Sequence, residues 1–259
     1  MRFKDVFAII GPAMVGPSSS HTAGAARLGR AARMLHERQP QVAVITLYGS
    51  FAETYRGHGT DVALVGGLLG YDTDDPRIPI AMTEAERAGM QVTFRESAEH
   101  MPHPNTVKLE LRSGGSETVV IGASIGGGNI EVGYVDGFDV RFSGVYPTLV
   151  LTHEDRTGFL AVVTTLLAAL QINIGYMIVD RKGRKGEAMT VIETDSPLAA
   201  EGLASLAALP GVQRVRTVDL TAEDDASSAS PQSAAEGHAA TAGDTADGTG
   251  TADIQGGRP

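Results

Sequence analysis

TLVLTHEDRTGFLAVVTTLLAALQINIGYMIVD, residues 148–180, is the stretch that decides the fold. β-Branched and aliphatic residues crowd Thr148 to Thr152, a helical apolar run fills Gly158 to Leu170, and a second extended run covers Ile172 to Asp180. The order then repeats: Glu187 to Glu193 reads as a strand, Leu198 to Ala208 as a helix and Val212 to Val218 as a strand. A βαββαβ unit of about 70 residues is the split βαβ, ferredoxin-like arrangement.

Upstream of this unit, Gly144 and Pro147 mark a change of pattern. The expected organisation is an α+β domain over 1–145, the ferredoxin-like domain over 146–220 and a tail over 221–259. From Thr221 to Pro259 there are seven acidic residues and one basic residue, so the tail carries −6 of the net charge of −10 and leaves −4 on residues 1–220. Rich in Ala, Gly, Ser, Thr and Asp, it cannot bury enough apolar surface to offset ordering, and a disordered acidic tail is expected.

The acidic balance argues against nucleic acid as a partner, which requires a concentrated basic surface. There is no run of apolar residues long enough to span a bilayer, and the N-terminus MRFKDVFAII has no leader pattern, so a soluble cytoplasmic protein with no membrane partner is expected. The chain has no cysteine, which removes thiol nucleophiles and any iron-sulfur cluster held by its own thiolates. Any such cluster needs a second chain.

Within the first domain, GPSSSHT at 16–22 leads into a helix whose apolar stripe is Ala25, Leu28, Ala32 and Leu35, with Arg27, Arg30 and Arg33 largely off it. Free amides at a helix start favour a carboxylate or phosphate, so Ser18, Ser19, Ser20 and Thr22 are candidate binding groups and His21 a candidate for chemistry. The plainer reading is an N-cap. Val42 to Tyr48 reads as a strand, Gly49 to Gly57 as a loop and Asp61 to Leu69 as a second helix, entered through GHGTD with His58. Asp61 either orients an imidazole or caps that helix. Residues 80–141 are expected to be mainly strands. Two loops among them add candidates: HPNT at 103–106, where Pro102 and Pro104 flank His103, and ASIGGGNI at 123–130, where Ser124 and Gly126, Gly127 and Gly128 permit close approach. No GxGxxG or GxxxxGK[ST] pattern is present, which discounts nucleotide binding.

Taken in order, GPSSSHT, Gly49-Ser50 followed by GHGTD, HPNT and SIGGG resemble the beta chain of the two-subunit, iron-sulfur-dependent L-serine dehydratases. The resemblance covers about residues 1–220 and leaves out the tail. It implies an allosteric-substrate-binding-like domain followed by an ACT domain. It also implies a lyase that converts L-serine to pyruvate and ammonia without pyridoxal phosphate, in amino-acid catabolism and gluconeogenesis. The [4Fe-4S] cluster would be ligated by a partner alpha subunit, with no metal held by this chain. By the same resemblance His58 would be the base, His21 and His103 would orient substrate or base, and Ser50 and Ser124 would join the contacts. Asp155, Arg156, Thr157 and Gly158 would form a regulatory ACT site, though Thr157 stands where proline is common. ACT domains also serve as homo-oligomer surfaces. The alternative is a regulatory amino-acid-binding protein built from the same modules, as in phosphoglycerate dehydrogenases. The set His21, His58 and His103 favours the enzyme.

Overall fold

The computed structural model describes residues 13–183 and 186–220, and the expected tail over 221–259 lies outside the described residues. Two sheets organise the chain. The first takes its strands from β1 (Val42–Tyr48), β2 (Gln91–Ser97), β3 (Thr106–Ser113), β4 (Ser116–Gly126), β5 (Asn129–Val135) and β6 (Phe138–Phe142), in the order β2-β1-β3-β4-β5-β6. Only β1 and β2 pair in parallel, with Val42 opposite Gln91, and the rest are antiparallel. A parallel pair needs a crossover, because the chain must return to the same end of the sheet. Here the crossover is helical: α2 (Gly49–His58), α3 (Thr60–Leu68), a 3₁₀ turn at Ile78–Ile80 and α4 (Ala81–Arg87).

Two of these helices depart from the sequence reading. Gly49 to Gly57, expected to be a loop, is helix α2, whose buried Phe51 and Tyr55 stand four apart on one face. Residues 81–87 form α4 within a stretch expected to be mainly strands. The first helix, α1 (Gly24–His36), buries Ala25, Leu28, Ala32 and Leu35 as expected. Arg30 is not off that face: it is 2% exposed and held by Asp72, with Nη1 to Oδ1 at 2.9 Å. A charge that deep is tolerated only because its partner comes with it.

Helix α3, TDVALVGGL, is apolar around most of its circumference and buried from Ala63 to Leu68, as suits a helix enclosed on several sides. It crosses α1 backbone against backbone. A methyl group on Gly67 would land on the Ala26 carbonyl, and one on Gly29 on the Leu64 carbonyl, so only glycine permits the approach.

The second sheet has the order β10-β7-β9-β8, from β7 (Thr148–Glu154), β8 (Ile174–Arg181), β9 (Glu187–Thr194) and β10 (Val212–Val218), with α5 (Phe159–Ala169) and α6 (Ala200–Ala207) between them. This is the βαββαβ unit. Its own core gathers Leu149, Leu151, Phe159, Val163, Leu167, Ile192 and Leu206. Its other face is continuous with the core of the first sheet, since Val150, Met189, Val191 and Val218 cluster with Leu28, Val132 and Phe138. Arg216 of β10, 2% exposed, crosses the junction to Asp136 at 2.6 Å and to the Leu35 carbonyl at 3.4 Å.

Candidate functional site

Ser18 is extended at φ −142°, and its Oγ accepts the His21 N–H at 3.3 Å, so the capping role read from the sequence is present. Ser19–Ala23 then forms a π-helical turn in which the Gly24 N–H reaches back to the Ser19 carbonyl. Such a wide turn inserts one residue into the helical register and is frequent at functional sites. His21 lies within it. The approach to this turn is also fixed: Asp72, paired with Arg30, takes the Thr73 N–H at 2.7 Å. Thr73 in turn bonds Ala13 and Val15 through its hydroxyl and carbonyl at 2.6 and 2.8 Å.

The His21 ring lies between two hydroxyls, with Nδ1 3.1 Å from Ser20 Oγ and Nε2 3.3 Å from Ser50 Oγ. Phe51 packs edge-on against it at 5.3 Å, and the His58 ring stands 5.0 Å away, tilted by 42°. Burial, and secondarily the nearby His58, lowers the pKa of His21, which keeps this imidazole neutral. A neutral ring between two hydroxyls donates through one nitrogen and accepts through the other.

His58 is not in a helix-entry loop. It is the last residue of α2, exposed, and its carbonyl accepts the Thr22 hydroxyl at 3.4 Å. Gly59, at φ 70°, breaks the chain so that α3 starts at once with Thr60. Asp61 accepts the Val62 N–H at 2.9 Å, while burial raises its pKa; it bonds backbone rather than an imidazole.

HPNT is stitched to the start of α2: the Phe51 N–H reaches the Pro104 carbonyl at 3.4 Å, and Gly49, at φ 51°, abuts Pro104. His103 Nδ1 accepts the Asn105 N–H at 3.1 Å, which places the proton of the neutral ring on Nε2. Among the described residues His103 makes no ring contact or hydrogen bond with His21 or His58. It lines a neighbouring cavity of about 650 Å³ with Gly49, Ala52 and Glu53. Ser124 is fully buried against Gly24, with its Oγ lacking a partner, and its backbone pairs with Asn105 at 3.0 Å. Gly126, Gly127 and Gly128 turn the chain at positive φ between β4 and β5, and Arg27 of α1 holds the Gly128 carbonyl at 3.3 Å. The structure thus brings Ser18, Ser20, His21, Thr22, Ser50 and His58 together, with the HPNT loop adjoining through its backbone.

Two residues at this site escaped the sequence reading. Phe51, packed edge-on against His21, was hidden in a presumed loop, where its four-residue spacing from Tyr55 was the available signal. Asp72, which anchors the approach, gave no signal beyond being acidic.

In the second sheet Gly158, at φ 84°, starts α5, Asp155 pairs with Arg181 at 3.3 Å, and Arg156 and Thr157 are exposed. His153, also missed, is buried and stacked on Phe159 at 3.7 Å.

Residues 3–133 match the serine dehydratase beta chain family, and residues 148–211 match the ACT domain. The chain belongs to the serine dehydratase beta chain family. It is 46% identical to the probable L-serine dehydratase beta chain of Bacillus subtilis, over 84% of this chain and 99% of that one. It is 38% identical to the L-serine dehydratase beta chain of Peptoniphilus asaccharolyticus, over 84% and 97%. A D-3-phosphoglycerate dehydrogenase of Synechocystis is 26% identical over 68% of this chain and 32% of its own length. For this beta-chain family member the donor set decides what it can ligate. The sequence has no thiolate, and among the described residues no three His, Asp or Glu side chains gather as a metal site. Without a cysteine the chain offers no thiolate to an iron-sulfur cluster.

Proposed function

We propose that the chain is the beta subunit of an L-serine dehydratase, converting L-serine to pyruvate and ammonia, and that a separate alpha subunit ligates the [4Fe-4S] cluster. The observation that carries this reading is the pairing of a neutral, hydroxyl-held His21 with an exposed His58 at 5.0 Å. An exposed imidazole beside a half-buried one is a site open on one side, suited to completion by another chain. His58 is the base that takes the Cα proton, and His21 orients it or the substrate. Ser18, Ser19, Ser20, Thr22 and Ser50 hold the substrate's polar groups, Ser124 and Gly126 to Gly128 support the wall behind them, and His103 approaches from the HPNT loop. Loss of the Cα proton and of the hydroxyl as water leaves aminoacrylate, which tautomerises and hydrolyses to pyruvate and ammonia.

The same reading divides the chain into a catalytic domain over 1–145, an ACT domain over 146–220 and an acidic tail over 221–259. Among the described residues no helix is long and apolar enough to cross a membrane. A cytoplasmic place in serine catabolism feeding gluconeogenesis belongs to the same proposal. Edge strand β8 exposes Tyr176, Met177 and Val179, an apolar border suited to joining a second copy through the ACT domain. Asp155, Arg156, Thr157 and Gly158 are its regulatory loop.

The test is anaerobic co-expression with a cysteine-bearing alpha chain, followed by iron analysis and a serine-to-pyruvate assay. Activity confined to the iron-loaded complex is expected. Turnover by this chain alone, free of iron, would overturn the reading.

A further inference from the structure

Asp72, just beyond α3, meets α1 at Arg30, about two helical turns past the Ser19–Ala23 turn. Its Oδ1 accepts both Arg30 Nη1 at 2.9 Å and the Thr73 N–H at 2.7 Å. Thr73 is 2% exposed and passes the link on. Its hydroxyl donates to the Ala13 carbonyl at 2.6 Å, and its carbonyl accepts the Val15 N–H at 2.8 Å. Gly16 follows at φ 132°, where a methyl group would fall on the Thr22 side chain, so the backbone there lies flat against Thr22. Thr22 gives its hydroxyl to the His58 carbonyl at 3.4 Å and belongs to the turn that runs into α1. The path is closed: from α1 it goes through Arg30, Asp72, Thr73, residues 13–16 and Thr22, and returns to the start of the same helix.

A chain entering a helix from an untethered loop can swing about the first turn, whereas here the entering segment is pinned on both sides of Ser18, Ser19 and Ser20. Upstream it is pinned at Ala13 and Val15 by Thr73, and downstream at Thr22 by His58. We infer that Thr73 is a positioning residue for the reaction: through residues 13–16 it sets where the Ser18, Ser19 and Ser20 hydroxyls stand, without touching substrate itself. The inference rests on the reading of those serines as the contacts of the substrate's polar groups. A group that acts on uniform binding contacts is read in KM more than in kcat, which separates positioning from a loss of folded protein.

Three variants test it, because Asp72→Asn would strike at a buried charge and so at folding itself. Thr73→Val keeps the shape and removes the hydroxyl, and Thr73→Ser keeps the hydroxyl. Thr148→Val removes a hydroxyl of like burial in the second sheet, one that donates to the Tyr146 carbonyl at 2.9 Å. In the reconstituted anaerobic complex, Thr73→Val should raise KM for L-serine about tenfold and change kcat by less than about threefold. Thr73→Ser should bring KM back to within about twofold of the parent. Thr148→Val should leave KM unchanged while lowering Tm as Thr73→Val does. In the free full-length chain, where no partner or turnover is needed, the His21 NMR resonances should move in Thr73→Val and stay in Thr148→Val. An unchanged KM in folded Thr73→Val, no recovery in Thr73→Ser, or an equal rise in Thr148→Val would overturn the inference. A complex that turns over no serine sinks the functional reading instead, and unmoved His21 resonances in Thr73→Val then overturn the positioning role by themselves.

Discussion

His21 and His36 sit towards opposite ends of one helical segment, each between two hydroxyls and each lowered in pKa first of all by burial. Around His36 the hydroxyls are Thr118 at 3.0 Å and Ser113 at 2.6 Å, both on buried strand positions, and the ring itself is 0% exposed. Around His21 they stand at 3.1 and 3.3 Å, on a π-helical turn and on the first turn of α2, with a second imidazole within reach. Shared hydrogen-bonding chemistry therefore does not make two histidines alike. What differs is the support: neighbouring strands hold one ring shut, while the other faces a second, exposed imidazole.

The largest expected effect separates the two ends directly. His58→Ala in the reconstituted anaerobic complex should lower kcat by about 10²- to 10⁴-fold, leaving Tm and the iron spectrum unchanged. Near-normal turnover would remove His58 as the base. His36→Ala should do the reverse. It strands the Ser113 and Thr118 hydroxyls and opens a cavity, costing about 2–4 kcal/mol in chemical denaturation while the folded fraction keeps its kcat.

How far this contrast was legible in the sequence depends on what each residue's neighbours are. The βαββαβ unit was readable because its strands are dense in Val, Ile and Thr and its helices bury a regular stripe. The serine-histidine run was visible because several hydroxyls before a helix exceed what a cap requires. His36 gave no sign, since its partners lie 77 and 82 residues away and a histidine in a last helical turn is ordinary. Helix α2 was obscured by Gly49, Gly57 and Gly59 around a polar stretch, so His58 was assigned to the wrong side of a helix boundary. The burial of Arg30 was equally hidden, because its cause, Asp72, is 42 residues on.

Acid should sharpen the comparison further. Arg214, Arg38 and Arg33 add to burial in lowering His36, and Asp136 opposes them. The unfolded chain takes up a proton below about pH 6.5 while the folded ring resists it. Stability from neutral His36 is thus complete above that pH and is lost as the pH falls towards the lowered folded value, by at most about 1.4 kcal/mol per pH unit. His21 and His153 are lowered as well and contribute in the same direction. Melting curves between pH 7.5 and 5.5 should fall for the parent chain and fall less steeply for His36→Gln; parallel curves would sink the assignment.

The smallest expected effect is at Ser50. Ser50→Ala frees one side of His21 and should cost activity by about three- to tenfold, a hydrogen bond's worth, and the His21 NMR resonance should titrate differently. An unaltered titration would mean that Ser50 does not hold the ring.

Where helices meet through side chains, each substitution at the contact retunes the distance between their axes. At Gly29 and Gly67 there are no side chains to retune, and peptide groups set the limit of approach. The turn bearing His21 lies just before one of these helices and His58 just before the other, so sequence drift in the surrounding core can drain stability without adjusting the spacing of the two rings. The crossing works as a gauge block: the spacing of the two rings is set where peptide groups meet, and adding a single carbon at Gly29 or Gly67 would drive the helices apart.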